Sequence, residues 1–161
     1  MTDVIVVVNS GSSSLKFALY ASVARTDEPL VKGNLTGLGR QPVLGAIVNG
    51  DAVAATAPLN DIPVDATHEW VITQLLERLA SRYTQFNPVA AGHRVVHGGR
   101  VFAGPTITDA AVRQKLESLV PLAPLHQPHN LAAVDAIAKV VPDLSQVACF
   151  DTSFHRTQSR L

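Results

Sequence analysis

A change of pattern near residue 65 limits the fold more than any other feature of the sequence. Before it the chain reads as consecutive short strands; after it helical and strand-like segments alternate. Val4–Val8 is an uninterrupted β-branched run, the pattern of a strand covered on both faces. The small polar stretch Asn9–Ser14 leads to a second strand, Leu15–Tyr20. Further pieces follow around Leu30–Leu38, Leu44–Asn49 and Ala52–Ala57, with Gly and Asp between them. Ile72, Leu75, Leu76, Leu79 and Ala80 then fall on one helical face, in a helix beginning near Asp65–Thr67. Pro88–Val96 returns to strand. Thr108 is placed to cap a second helix whose Val112, Leu116, Leu119 and Val120 share a face, with Ile107 and Val112 as a hydrophobic staple. A third helix starts at Pro128 and stops before Pro142, and Gln146–Phe150 is a last buried strand. Five strands on short connections, then helix, strand, two helices and strand, predict an α/β domain. Its sheet is mixed, with an antiparallel meander at one side and crossover helices.

At 161 residues the chain can build one domain with a real core. Its 13 basic residues balance 13 acidic ones, which argues against a nucleic acid or an anionic membrane as partner. No apolar run approaches the ~20 residues of a membrane span, and the start has neither a basic region nor a long apolar one. A cytoplasmic protein is the expectation. The single cysteine, Cys149, excludes a disulfide framework and reads as a small buried hydrophobe in its strand.

Polar motifs follow three of the strands, and ligands of such sheets bind at the carboxyl ends of strands. Asn9–Lys16, N-S-G-S-S-S-L-K, joins two strands through small residues. With Gly11 free to take positive φ, its N–H groups and hydroxyls form an anion-binding concavity; a plain Ser-rich hairpin would look the same. It is not a Walker A loop, since the second glycine before the lysine and the following helix are missing. In Gly92–Gly99, G-H-R-V-V-H-G-G, Arg94 interrupts an apolar strand, and a buried guanidinium demands an anion: a substrate carboxylate or phosphoryl group, or a structural acidic partner. Alternation puts Arg94 and Val96 on one face, and His93, Val95 and His97 on the other, where both histidines read as packing or surface residues. Pro121–Asn130, P-L-A-P-L-H-Q-P-H-N, sets His126 just before a helix start, either to donate to an anion or to cap. Phe150–His155, F-D-T-S-F-H, leaves Asp151 at a strand end, where an acid binds Mg²⁺ through its waters or caps the next element.

Taken together, in this order and spacing, the four motifs resemble the acetate kinase family, over residues 4 to about 157. The family lies in the superfamily of acetate and sugar kinases, Hsp70 and actin, so the resemblance implies a ribonuclease H-like, actin-like ATPase domain. It further implies Mg²⁺-dependent phosphoryl transfer from ATP to acetate. Asn9 would contact the Mg²⁺–phosphate end of the nucleotide, and Ser12, Ser14 and Lys16 would belong to the first phosphate loop. Arg94 would hold the carboxylate or transferring phosphoryl group, His126 would stabilise the transition state and Asp151 would be the catalytic acid residue. Val96 and Leu125 would line the acetate pocket. Ser10 and Ser153 stand where the family often has Ala, and Gln127 and His129 vary within their loop; no matched functional residue is lost. The resemblance also implies that residues 1–161 are an amino-terminal domain. The second, carboxy-terminal domain carries a Gly-rich adenosine loop, another arginine and a glutamate, and the complete protein would be a homodimer. Propionate kinase shares the motifs, and a non-catalytic nucleotide-binding module is the reading outside enzymes.

Overall fold

A computed structural model of the chain describes residues 1–23, 27–38, 43–48, 51–58, 63 and 66–154; Asn49, Asp65, His155 and the residues beyond it lie outside these. The first half is a meander of five strands, β1 (Thr2–Ser10), β2 (Ser14–Ala21), β3 (Val31–Thr36), β4 (Val43–Val48) and β5 (Asp51–Pro58). Each pairs antiparallel with the next. Helix α1 (His68–Arg82) then leads to β6 (Phe86–Val95), which lies parallel to β1 on its other side. A two-residue strand, β7 (Thr106–Ile107), precedes α2 (Ala110–Ser118), a 3₁₀ turn at Val120–Leu122 and α3 (Gln127–Val140). Strand β8 (Ser145–Phe150) runs parallel to β6, and α4 (Asp151–Phe154) follows directly. The eight-stranded sheet has the order β5-β4-β3-β2-β1-β6-β8-β7. The expected meander and crossovers are both present; β7, antiparallel to β8, is too short for a periodicity to reveal.

Helix boundaries follow local chemistry. Thr67 caps α1, its hydroxyl accepting from the Trp70 N–H, and Pro128 occupies the first turn of α3, where a missing N–H costs nothing. The cap of α2 is Asp109 rather than Thr108: its carboxylate accepts from the Val112 N–H at 2.8 Å. Thr108 is instead held to strand β8, its N–H donating to the Gln146 carbonyl, and Ile107 is largely exposed rather than stapled.

The helices cover one face of the sheet. Val6, Val8, Phe17 and Leu19 pack there against Val71, Ile72 and Leu75 of α1 and Ile137 of α3. A second cluster joins Val95, Ala148 and Phe150 to Leu116 and Leu131. Full burial of such side chains contributes roughly 1.5–3 kcal/mol each. Among the described residues no helix packs on the other face, so Val7 and Val89 are exposed there. The Val4–Val8 run is therefore covered on one side only, and Cys149, expected to be buried, lies exposed on the open side. No helix among the described residues is long and apolar enough to cross a membrane.

Candidate active site

Parallel pairing of β1, β6 and β8 brings their carboxyl ends to one edge. Val8 lies opposite His93, and Arg94 opposite Cys149, so Asn9, Arg94 and Asp151 follow side by side at the sheet's end. The antiparallel β1–β2 pairing sets Lys16 opposite Asn9. Side chains alternate across a strand. Asn9, Lys16 and Arg94 therefore share the open face, while Val8, His93 and Val95 point to the helices.

Arg94 is the hub. Its Nε donates to both carboxylate oxygens of Asp151, at 3.0 and 3.1 Å, and its Nη2 donates to Oδ2 at 2.6 Å. Nη1 donates to Asn9 Oδ1 at 3.2 Å. Hydrogen bonding to Asp151 raises the guanidinium pKa further above its ordinary value. The expectation of a buried arginine is corrected, since the Arg94 side chain is 50% exposed and that of Asp151 36%. A strand edge with no layer above it imposes little desolvation: burial lowers the guanidinium pKa, but by less than hydrogen bonding to Asp151 raises it. An ion pair this exposed contributes about 0–1 kcal/mol, so it can open at small cost when a competing anion arrives. With exposed Lys16 close by, the edge carries two cations and one carboxylate and suits an anionic ligand.

The loop Gly11–Ser13 closes through the Gly11 N–H donating to the Ser14 carbonyl at 2.8 Å. Gly11 does not use the left-handed region; the described positive-φ glycines are Gly37 and Gly99. A Cβ on Gly11 would meet only ordinary contacts, 3.5 Å from the Ser14 carbonyl oxygen; Ser12 and Ser13 are exposed and Ser14 is half-buried at the start of β2. The two glycines that end the second motif, Gly98 and Gly99, are needed for packing. A Cβ on Gly98 would lie 2.7 Å from the Phe150 ring, and Gly99, at φ +61°, turns against Leu119. The Gly98 N–H donates to Thr152 Oγ1 at 3.1 Å, which ties the end of β6 to the start of α4 and so fixes Asp151 beside Arg94. Asp151 is the first residue of α4, and its carboxylate is bonded to Arg94.

His126 is the N-cap residue of α3 but makes no side-chain capping bond, and it is exposed, as is Leu125 before it. Val96 is half-buried one residue beyond β6. The structure thus brings Asn9, Arg94 and Asp151 into direct contact. It leaves Ser12, Lys16, Leu125 and His126 as exposed side chains on the loops and strand around them. The remaining histidines among the described residues are structural. His97 Nδ1 accepts from the Gly99 N–H at 2.8 Å within the turn. His93 is buried, and its Nε2 lies 2.7 Å from Gln146 Oε1. Because Gln146 Nε2 donates to the Val134 carbonyl, its oxygen must accept, so His93 Nε2 carries the proton. Burial lowers the His93 pKa to about 4, so the ring is neutral at pH 7. His129 packs against His68 with the rings tilted, 4.3 Å between centroids, and its pKa is lowered by burial and then by His68 and His126.

Two amides were missed from sequence. Gln127 and Asn130, both buried, accept from the His97 and Val96 N–H groups at 3.3 and 3.0 Å. Their only signal was two amides three apart at the start of an apolar helix. Among the described residues no group of three His, Cys, Asp or Glu could cage a metal. The oxygen donors gathered at this edge, Asn9 Oδ1 and the Asp151 carboxylate, both accept from Arg94, and oxygen donors are the kind a hard cation takes. A cavity of about 300 Å³ lies at the other end, lined by apolar residues including Leu79, Tyr83, Phe86 and Leu144, and no candidate residue borders it.

The Acetokinase family model matches residues 4–160. The acetate kinase of Rhodopseudomonas palustris (strain TIE-1) is 40% identical over 157 residues, 96% of this chain and 39% of that protein. Acetate kinase of Porphyromonas gingivalis superposes with TM-score 0.80 at 33% identity, over 98% of this chain and 39% of its own. A propionate kinase from Francisella tularensis gives TM-score 0.80 at 30% identity, with the same coverage. This chain spans about two-fifths of the length of the curated relatives it matches. The match along nearly its whole length, over a fold that gathers the matched motifs at one sheet edge, makes the chain a member of the Acetokinase family.

Proposed function

We propose that the chain is the amino-terminal domain of a cytoplasmic, homodimeric kinase that transfers a phosphoryl group reversibly between Mg–ATP and acetate, and that a second domain completes the site. The observation that carries this reading is the Asn9–Arg94–Asp151 cluster, assembled from three strand ends on an open, net cationic edge. Acetate has a pKa near that of Glu, about 4.3, and at neutral pH is already a nucleophile. No base is needed to activate it. The barrier comes from bringing an anion to a polyanionic nucleotide, so cations and aligned donors carry the catalysis.

In this scheme Arg94 exchanges part of its fork from Asp151 to the acetate carboxylate or the in-flight phosphoryl group. Ser12, Ser14 and Lys16 bind nucleotide phosphates, and Asn9 their Mg²⁺-bearing end. His126, next to a helix N-terminus, donates to a phosphoryl oxygen. Asp151 holds Arg94 in place and, with Asn9, would hold the hydrated Mg²⁺ of the nucleotide, which would neutralise charge on the phosphates. It is not a proton carrier. Val96 and Leu125 form the apolar wall for the methyl group. Propionate as acceptor is the second reading, favoured by the likeness to a structure named propionate kinase. A coupled acetyl-phosphate assay tests the proposal. A complete protein carrying this sequence should turn over acetate, and residues 1–161 alone should not. Inactivity of the complete protein on both acids refutes the reaction, and steady turnover by residues 1–161 refutes the need for a second domain.

A further inference from the structure

Strands β1 and β6 are paired only as far as Val8 and His93, yet the groups beyond that point carry the candidate site. The side chain of Asn130, 3% exposed in the first turn of α3, continues the connection. Its Nδ2 donates to the Ser10 carbonyl at 2.5 Å, and its Oδ1 accepts from the Val96 N–H at 3.0 Å. Ser10 follows Asn9 and opens the phosphate loop; Val96 stands two residues after Arg94. One carboxamide thus spans the nucleotide side and the acceptor side of the cluster. It is anchored on the helix that follows His126. Its orientation is fixed, since a carbonyl can be met only by the amide nitrogen and an N–H only by the amide oxygen.

We propose that Asn130 is a positioning residue that sets the separation between the phosphate loop and the Arg94–Val96 segment; this rests on the reading of the site as a phosphoryl-transfer site. Neighbouring Gln127 grips only the turn after β6 and the end of α2: its Nε2 donates to the His97 and Leu116 carbonyls, at 3.1 and 3.4 Å. Asn130 alone of the two reaches β1. Misplacement of about 1 Å between reacting groups can lower a rate about 100-fold.

Asn130→Asp keeps the shape and the acceptor for Val96 but turns an oxygen toward the Ser10 carbonyl, so the β1 link is lost selectively. In the complete enzyme, assayed well below the variant's melting temperature, kcat should fall about 100-fold with both KM values within about fivefold. A purely structural side chain would lower the melting temperature and leave kcat untouched, and a folded variant with kcat within about twofold of the parent overturns the proposal. Should the variant not fold, amide hydrogen exchange on the parent decides: Val96, one residue beyond the end of β6, should exchange as slowly as the paired amides of β6. Exchange at the rate of an unprotected loop amide overturns the link. An inactive parent would refute the phosphoryl-transfer reading instead, while slow exchange at Val96 would still support the Asn130 link.

Discussion

On the helix-covered face, β1, β6 and β8 present Val8, His93 and Ala148 in register; one residue further along, on the open face, they present Asn9, Arg94 and Cys149. Both rows lie on the same backbone. The first has exposures of 2%, 2% and 0%. The second is a half-buried asparagine, a half-exposed arginine and an exposed thiol. Strand alternation lets one segment serve packing and chemistry without conflict, because a change on one side leaves the other side's contacts in place. Stability should therefore track the even positions of β1 and Ala91, His93 and Val95 of β6, and activity Asn9 and Arg94 on the other face.

The largest effect that could break this division is expected at Arg94. In a complete enzyme, Arg94→Ala should lower kcat/KM for acetate about 10³-fold, ~4 kcal/mol of transition-state stabilisation, with the melting temperature nearly unchanged. Arg94→Lys should restore only part, because an ammonium lacks the planar fork. A large loss of stability with normal kinetics would make the Asp151 pair a structural brace and erase the distinction between faces.

Next in size is His93, the titratable group of the covered row. Its pKa is near 4 when folded against 6.5 in the unfolded chain, so between these values the unfolded state binds the extra proton. Stability is complete above about pH 6.5 and declines as the pH falls toward 4, by on the order of 3 kcal/mol. His93→Met should remove that decline from urea unfolding curves of the chain. An unchanged pH dependence in the variant would show that other groups cause it.

Val96 gives the smallest effect and marks the boundary, with the parity of Arg94 but half-buried. Val96→Ala in a complete enzyme should improve propionate over acetate about tenfold in kcat/KM, mainly through KM, if its side chain bounds the acceptor. A lowered melting temperature with an unchanged substrate ratio would assign Val96 to the core instead.

Local signals determined much of this molecule. Strand runs, helix periodicity, Thr67 and Pro128 fixed the elements within a few residues, because caps and alternation act between near neighbours. Order along the chain was enough to place Asn9, Arg94 and Asp151 at one edge, since parallel strands joined by crossovers must end together. Burial was another matter. Val7, Arg94 and Cys149 were all read as more buried than they are, because their strands are apolar on both sides in sequence. A strand's pattern records that a face tolerates apolar residues; which layer covers it is decided by where α1, α2 and α3 dock. The same docking made Asn130 and Gln127 partners of strand ends 30 or more positions away in sequence. Hydrogen bonds of that kind leave no periodicity behind, and only the tertiary structure could supply them.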